Sequence, residues 1–139
     1  MFDAFFVRRL KSPLAFAAKP LDAAGIKATQ VTLIGAVIGL AAAILIAADA
    51  LLLGGLLFLM NRLFDGLDGA LARQQGPTEQ GAFLDITLDF LIYSAIPFAF
   101  AVRDPDVALA AAFLLFSFVG TLTVSVALGA SPAPSVITR

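Results

Sequence analysis

Asn61-Arg62-Leu63-Phe64-Asp65-Gly66-Leu67-Asp68-Gly69-Ala70-Leu71-Ala72-Arg73 follows without a helix-breaking residue from an apolar block over residues 50–60. Asp65 and Asp68 therefore lie on a helix that starts as a membrane-spanning segment, three residues apart and so on one face. Gln74-Gln75-Gly76-Pro77 then supplies turn chemistry. Thr78 is placed to cap a following helix, with Gly81 in its first turn. That helix, reaching about residue 102, carries Asp85 and Asp89, four apart and again on one face. Two antiparallel helices joined by a short turn bring the two acidic faces toward each other. Four carboxylates converge on one small volume.

Working outward, the rest of the chain reads as apolar helix. Residues 29–48 form a first span, Asp49 marks a turn, and residues 50–73 and 78–102 are the second and third. Arg103-Asp104-Pro105-Asp106 is a polar turn, and residues 107–128 form a fourth. Upstream, Phe2, Phe5, Phe6 and Leu10 share a helical face with Arg8, Arg9 and Lys11 beside it, the pattern of a helix lying on a membrane surface. The early Asp3, the interruptions at Pro13 and Pro20 and the lack of an apolar run before residue 28 argue against a cleaved signal peptide. The Pro/Ser-rich stretch 129–139 is expected to be irregular. The expected fold is thus an all-α membrane protein, with an N-terminal interfacial helix and four transmembrane helices. It forms one domain over residues 1–139, of which 1–27 is juxtamembrane.

Composition agrees. Of 139 residues 60% are hydrophobic and 14% charged, against roughly a quarter charged in a soluble domain, and mean hydropathy is +0.98. A net charge of −1 argues against a nucleic-acid partner. With neither Cys nor His, thiolate metal sites, disulfides and imidazole catalysis are excluded, so any metal or acid–base chemistry runs on carboxylates. Lys and Arg set orientation. Arg8, Arg9, Lys11, Lys19 and Lys27 precede the first span and Arg62 and Arg73 sit at the far end of the second, whereas the opposite turns hold only Arg103. The N-terminus, the second-to-third junction and all four aspartates are expected on the cytoplasmic side.

A carboxylate in a membrane helix costs about 2.5–3.5 kcal/mol on insertion scales, and four also repel one another. They are either protonated or bridged by cations. Oxygen-only ligands select hard ions such as Mg²⁺, Mn²⁺ or Ca²⁺. Two divalent ions would balance four carboxylates, and paired ions are a known device of phosphoryl chemistry. Gly66, Gly69, Ala70, Ala72, Gly81 and Ala82 leave room beside the acids, or else serve close helix packing, the stronger competitor at Gly66 and Ala70. Arg73 is either a snorkelling interfacial residue or a phosphate clamp.

Asp65-x-x-Asp68-Gly69-x-x-Ala72-Arg73, seven residues, then Gly81-x-x-x-Asp85-x-x-x-Asp89 resembles the signature of the CDP-alcohol phosphatidyltransferases at eight positions. A looser likeness extends over residues 25–120. The resemblance implies that Asp65, Asp68, Asp85 and Asp89 ligate two divalent cations, Mg²⁺ or Mn²⁺, and that Asp89 is also the general base. It implies that Gly69, Ala72, Arg73 and Gly81 hold the CDP moiety, with a hydroxyl contact from Thr78. Near the nucleotide the family often has Pro-Asn-x-x-Thr; Ala28 and Thr29 stand for Pro and Asn, and Thr32 matches. The implied reaction moves a phosphatidyl group from CDP-diacylglycerol to an alcohol acceptor and releases CMP, in phospholipid biosynthesis. The implied setting is the bacterial cytoplasmic membrane, with membrane lipid around the chain and a homodimer as in relatives. The family usually has six spanning helices, so four imply a chain truncated at its C-terminus. Two other readings compete: an ion- or proton-coupled transporter using intramembrane carboxylates, against which residues 50–60 and 91–100 offer almost no polar path, and a non-catalytic fragment.

Overall fold

The computed structural model describes the backbone of residues 2–129 and the surroundings of side chains 13–121 and 123. Five α-helices follow in order: α1 (Phe2–Ala23), α2 (Ala28–Ala47), α3 (Leu51–Gln75), α4 (Glu79–Arg103) and α5 (Ala108–Gly129). A 3₁₀ turn, Pro105–Val107, precedes α5. No strand occurs among the described residues. The expected side-chain face of Phe2, Phe5, Phe6 and Leu10 and the irregular end at 130–139 fall outside the described set.

Helix ends follow local chemistry. Thr78 Oγ1 accepts from the Gly81 amide at 3.1 Å and caps α4 as expected. Gly76 takes φ 91°, a backbone that an L side chain rarely adopts, to turn α3 into the cap. Asp49 carries φ 67° in the α2–α3 turn. Aspartate is one of the few side-chain-bearing residues that adopt this region with any frequency.

α2 lies against both α3 and α4; α1 packs on α3, and α5 on α4. A stripe of small residues on α2 makes this possible. A Cβ added at Gly35 would sit 3.1 Å from Phe64 Cβ on α3, and one at Gly39 would sit 2.8–3.0 Å from Ile92 on α4. A Cβ on Gly54 of α3 would come within 2.6 Å of Ile46 Cγ1. The opposite side of α2 exposes Leu33, Ile34, Val37 and Ile44. Small residues inside and large apolar residues outside reverse the soluble pattern and suit a lipid surroundings, where close packing rather than water exclusion joins helices. α2 and α4 are each long and apolar enough to cross a membrane. α3 is apolar in its first half and acidic in its second. The molecule is an all-α membrane protein.

One boundary differs from expectation. α1 continues through Pro13 and Pro20 to Ala23. A proline inside a helix costs about 3 kcal/mol or more, and tertiary contact offsets it: Ala18 is fully buried with Val31, Ala70 and Leu71, and Leu14 and Leu21 pack on that cluster. Gly66 belongs to the same contact, since a Cβ there would meet Leu14 Cδ1 at 3.0 Å. Gly66 and Ala70 therefore serve helix packing.

Candidate active site

The last three turns of α3 and the first three of α4 place the four aspartates around one small cavity, which Thr32, Gly35, Asn61 and Ile92 also line. Asp65, Asp68 and Asp85 each offer a carboxylate oxygen, and these oxygens lie within 4.8 Å of one another. Asp68 is 3% exposed, and its Oδ1 is buried without a hydrogen-bond partner. An ionised oxygen left bare in a packed interior is strongly unfavourable. A divalent cation would satisfy it, and an all-carboxylate donor set suits a hard ion. The residues present fit such a group: Asp65, Asp68 and Asp85 are the side chains positioned to hold it.

Asp89 lines the same cavity but has a different neighbour. Its Oδ1 accepts from Arg62 Nη2 at 2.9 Å. Arg62 also donates through Nη1 to Tyr93 Oη at 2.6 Å, and through Nε and Nη2 to Asn61 Oδ1 at 3.1 and 2.6 Å. Its guanidinium stacks 4.6 Å from the centre of the Tyr93 ring. Asn61, 4% exposed, donates from Nδ2 to the Gly35 carbonyl at 2.8 Å. This network joins α2, α3 and α4 beside the acids. The sequence reading used Arg62 only to orient the chain and gave Asn61 and Tyr93 no role. The available signal was an Asn-Arg pair at membrane depth one turn before the first aspartate.

A larger cleft of about 650 Å³ opens from the acidic cavity and shares Thr32, Asp68 and Asp85 with it. Thr29, Gly69, Ala72, Arg73, Thr78 and Gly81 all line it, so every residue proposed from sequence to hold the CDP group meets in one space. Gly69 faces it with room to spare, the nearest atom to an added Cβ being Arg73 Nη1 at 3.5 Å. Thr32 Oγ1 donates to the Ala28 carbonyl at 3.1 Å. Arg73 lines the cleft, and no ion pair involves it among the described residues.

Lys27 and Gln75, not singled out from sequence, also line the cleft. Gln75 Nε2 donates to Asp22 Oδ1 at 3.0 Å and to the Ile26 carbonyl at 2.7 Å, and its Oε1 accepts from the Ala28 amide at 3.1 Å. One side chain at the end of α3 thereby holds the start of α2 across the cleft mouth. Away from the cleft, the next packing layer between α2 and α4 is Ala43, Ile46 and Ala99. That layer is apolar and offers a transported ion no ligands.

A family profile for CDP-alcohol phosphatidyltransferases matches residues 26–135. The inner membrane protein YnjF of Escherichia coli K12 is 44% identical over 122 residues, 87% of this chain and 59% of that protein. An archaetidylinositol phosphate synthase of Pyrococcus horikoshii is 37% identical over 94 residues, 67% of this chain and 50% of that one. The crystal structure of Mycobacterium tuberculosis phosphatidylinositol phosphate synthase with CDP-DAG bound superposes with a TM-score of 0.67 at 30% identity, covering 74% of this chain and 56% of that one. The chain thus spans between half and three-fifths of these three relatives. The matched region contains the whole acidic cavity and the cleft beside it, and the chain belongs to the CDP-alcohol phosphatidyltransferase family.

Proposed function

We propose that this protein transfers a phosphatidyl group from CDP-diacylglycerol to an alcohol acceptor, releasing CMP, and that the reaction depends on two divalent cations, Mg²⁺ or Mn²⁺. The observation that carries the reading is the junction of the two cavities. Three carboxylate oxygens within 4.8 Å of one another, one of them from Asp68, whose Oδ1 is buried and bare, open onto a 650 Å³ cleft lined by Gly69, Arg73, Thr78 and Gly81. A nucleotide diphosphate fits this junction, its phosphates beside the acids and its cytidine in the cleft. The cations, when bound, supply charge stabilisation for the diphosphate and the departing CMP. Asp65, Asp68, Asp85 and Asp89 hold them. Arg73 pairs with a phosphate oxygen, and Gly69 lets the diphosphate approach the α3 backbone. Asp89 also takes the proton of the acceptor hydroxyl. The acceptor oxygen then attacks the lipid-side phosphorus.

The donor's acyl chains explain why such a site lies in membrane helices: they stay in the bilayer while the headgroup reaches the cleft. The excess of Lys and Arg at the aspartate end supports a cytoplasmic-facing site in a bacterial cytoplasmic membrane. Membrane lipid surrounds the chain, residues 1–139 act as one transmembrane domain with 1–27 juxtamembrane, and a homodimer is the assembly. The two synthases among the relatives make inositol phosphate the first acceptor to try, followed by glycerol 3-phosphate and serine.

The test is CMP release in detergent from CDP-diacylglycerol with each acceptor, with and without Mg²⁺ or Mn²⁺. Release should require both acceptor and metal; release that persists in EDTA, or cation flux into vesicles without CMP, defeats the proposal. Gly69→Ala tests the cleft. The added Cβ meets only Arg73 Nη1, at an ordinary contact distance of 3.5 Å, so thermal stability should hold. The KM for the donor should rise about tenfold or more, equivalent to about 1.4 kcal/mol of lost binding.

A further inference from the structure

Of the four aspartates, Asp89 is the one hydrogen-bonded to Arg62. Asp65, Asp68 and Asp85 form the close group, whereas Asp89 Oδ1 is taken by Arg62 at 2.9 Å. The guanidinium is held there from several sides. Tyr93 Oη and Asn61 Oδ1 accept from it at 2.6 Å each, and the rings of Tyr93 and Phe58 lie 4.6 and 5.5 Å from its carbon. Asn61 is fixed in turn by its bond to the Gly35 carbonyl. Arg62 Nη1 is also 3.9 Å from Asp65 Oδ2, so one fixed positive charge lies beside both the close group and the fourth acid.

A guanidinium cannot lose its charge at any ordinary pH. A divalent ion that uses Asp89 must displace the Arg62 contact or bind next to a like charge. An ion held by Asp65, Asp68 and Asp85 meets neither obstacle to the same degree, and it satisfies the bare Asp68 oxygen. We propose that Arg62 is a built-in competitor for the second cation. The two ions then bind in order, the first to Asp65, Asp68 and Asp85, the second only as Arg62 gives up Asp89. Arg62 is a positioning residue in this scheme: it sets where Asp89 waits and when the second ion enters. The inference rests on the two-cation reading above.

The experiment counts Mn²⁺ by electron paramagnetic resonance and equilibrium dialysis on the full chain in detergent, with no substrate and no turnover. The wild type should bind one ion tightly and a second at least about tenfold more weakly, the scale of a charge-assisted hydrogen bond. Arg62→Met should tighten the second ion until the two are nearly equal, with Mn–Mn coupling appearing at lower Mn²⁺. Tyr93→Phe removes one acceptor from Arg62 while keeping the packing. It should narrow the gap in the same direction, and it serves if Arg62→Met does not fold. Equal affinities in the wild type, or a gap unchanged in a folded variant, overturn the inference and leave the two-cation reading standing. No Mn²⁺ binding by the folded wild type overturns both.

Discussion

Asp89→Asn is expected to lower CMP release by about 10²–10⁴-fold, the range that a positioned general base contributes, with helical content unchanged. The amide keeps the shape of the carboxylate and an oxygen for Arg62 Nη2, so the contact between α3 and α4 survives. What it cannot do is take the acceptor's proton. Asp68→Asn is the companion. Asp68 makes no contact with Arg62; its Oδ1 is buried and bare, so its replacement should abolish binding of the first ion along with activity. Single-turnover CMP release and Mn²⁺ binding, read beside circular dichroism, separate the two. An Asp89→Asn enzyme within tenfold of wild type would remove Asp89 from the role of base.

The second large effect is on the fold. Gly54→Ala should destabilise the protein by about 1–3 kcal/mol, the cost of overpacking a close-packed interior. The added Cβ would lie 2.6 Å from Ile46 Cγ1, 3.0 Å from the Ala42 carbonyl oxygen and 3.1 Å from the Ile46 amide nitrogen. Two of these three atoms are backbone, so α2 itself must shift. Gly55→Ala, one residue on, meets nothing within 4 Å and should stay within about 0.5 kcal/mol, as surface substitutions usually do. Unfolding in a denaturing-detergent titration gives both values. Equal effects at the two positions would mean that α2 and α3 do not approach as closely as described.

Much of this was legible in the chain. From α2 onward helix ends came within about two residues because local signals set them: the Thr78 cap, the Gly76-Pro77 break, the Asp49 turn. The convergence of Asp65, Asp68, Asp85 and Asp89 followed from helical spacing and one short turn, and the residues assigned to the CDP group by resemblance do line one cleft. What spacing cannot reveal is a partner on another helix. Arg62 meets Asp89 across 27 positions, and Gln75 meets Ala28 across 47. Sequence patterns report neighbours three or four residues away, so Arg62 read as an interfacial charge and Gln75 as part of a turn. The run of α1 through its prolines was hidden for a related reason: local propensity argued for a break, and burial of Ala18 against α3 outweighed it.

At the end of the bundle far from the acids, Arg103 Nε donates to Asp49 Oδ1, joining the α2–α3 turn to the last turn of α4. The two residues leave the ribosome 54 positions apart. At about 5–20 residues per second, Asp49 is made several seconds before its partner. The α2–α3 hairpin must therefore settle with an unpaired carboxylate at its tip, and the contact closes only once α4 has been laid in full. An exposed pair of this kind adds about 1 kcal/mol or less to the finished fold. Its larger consequence is temporal: it can form only once α4 already lies along α2, which makes it a marker of α4 docking rather than a cause of it.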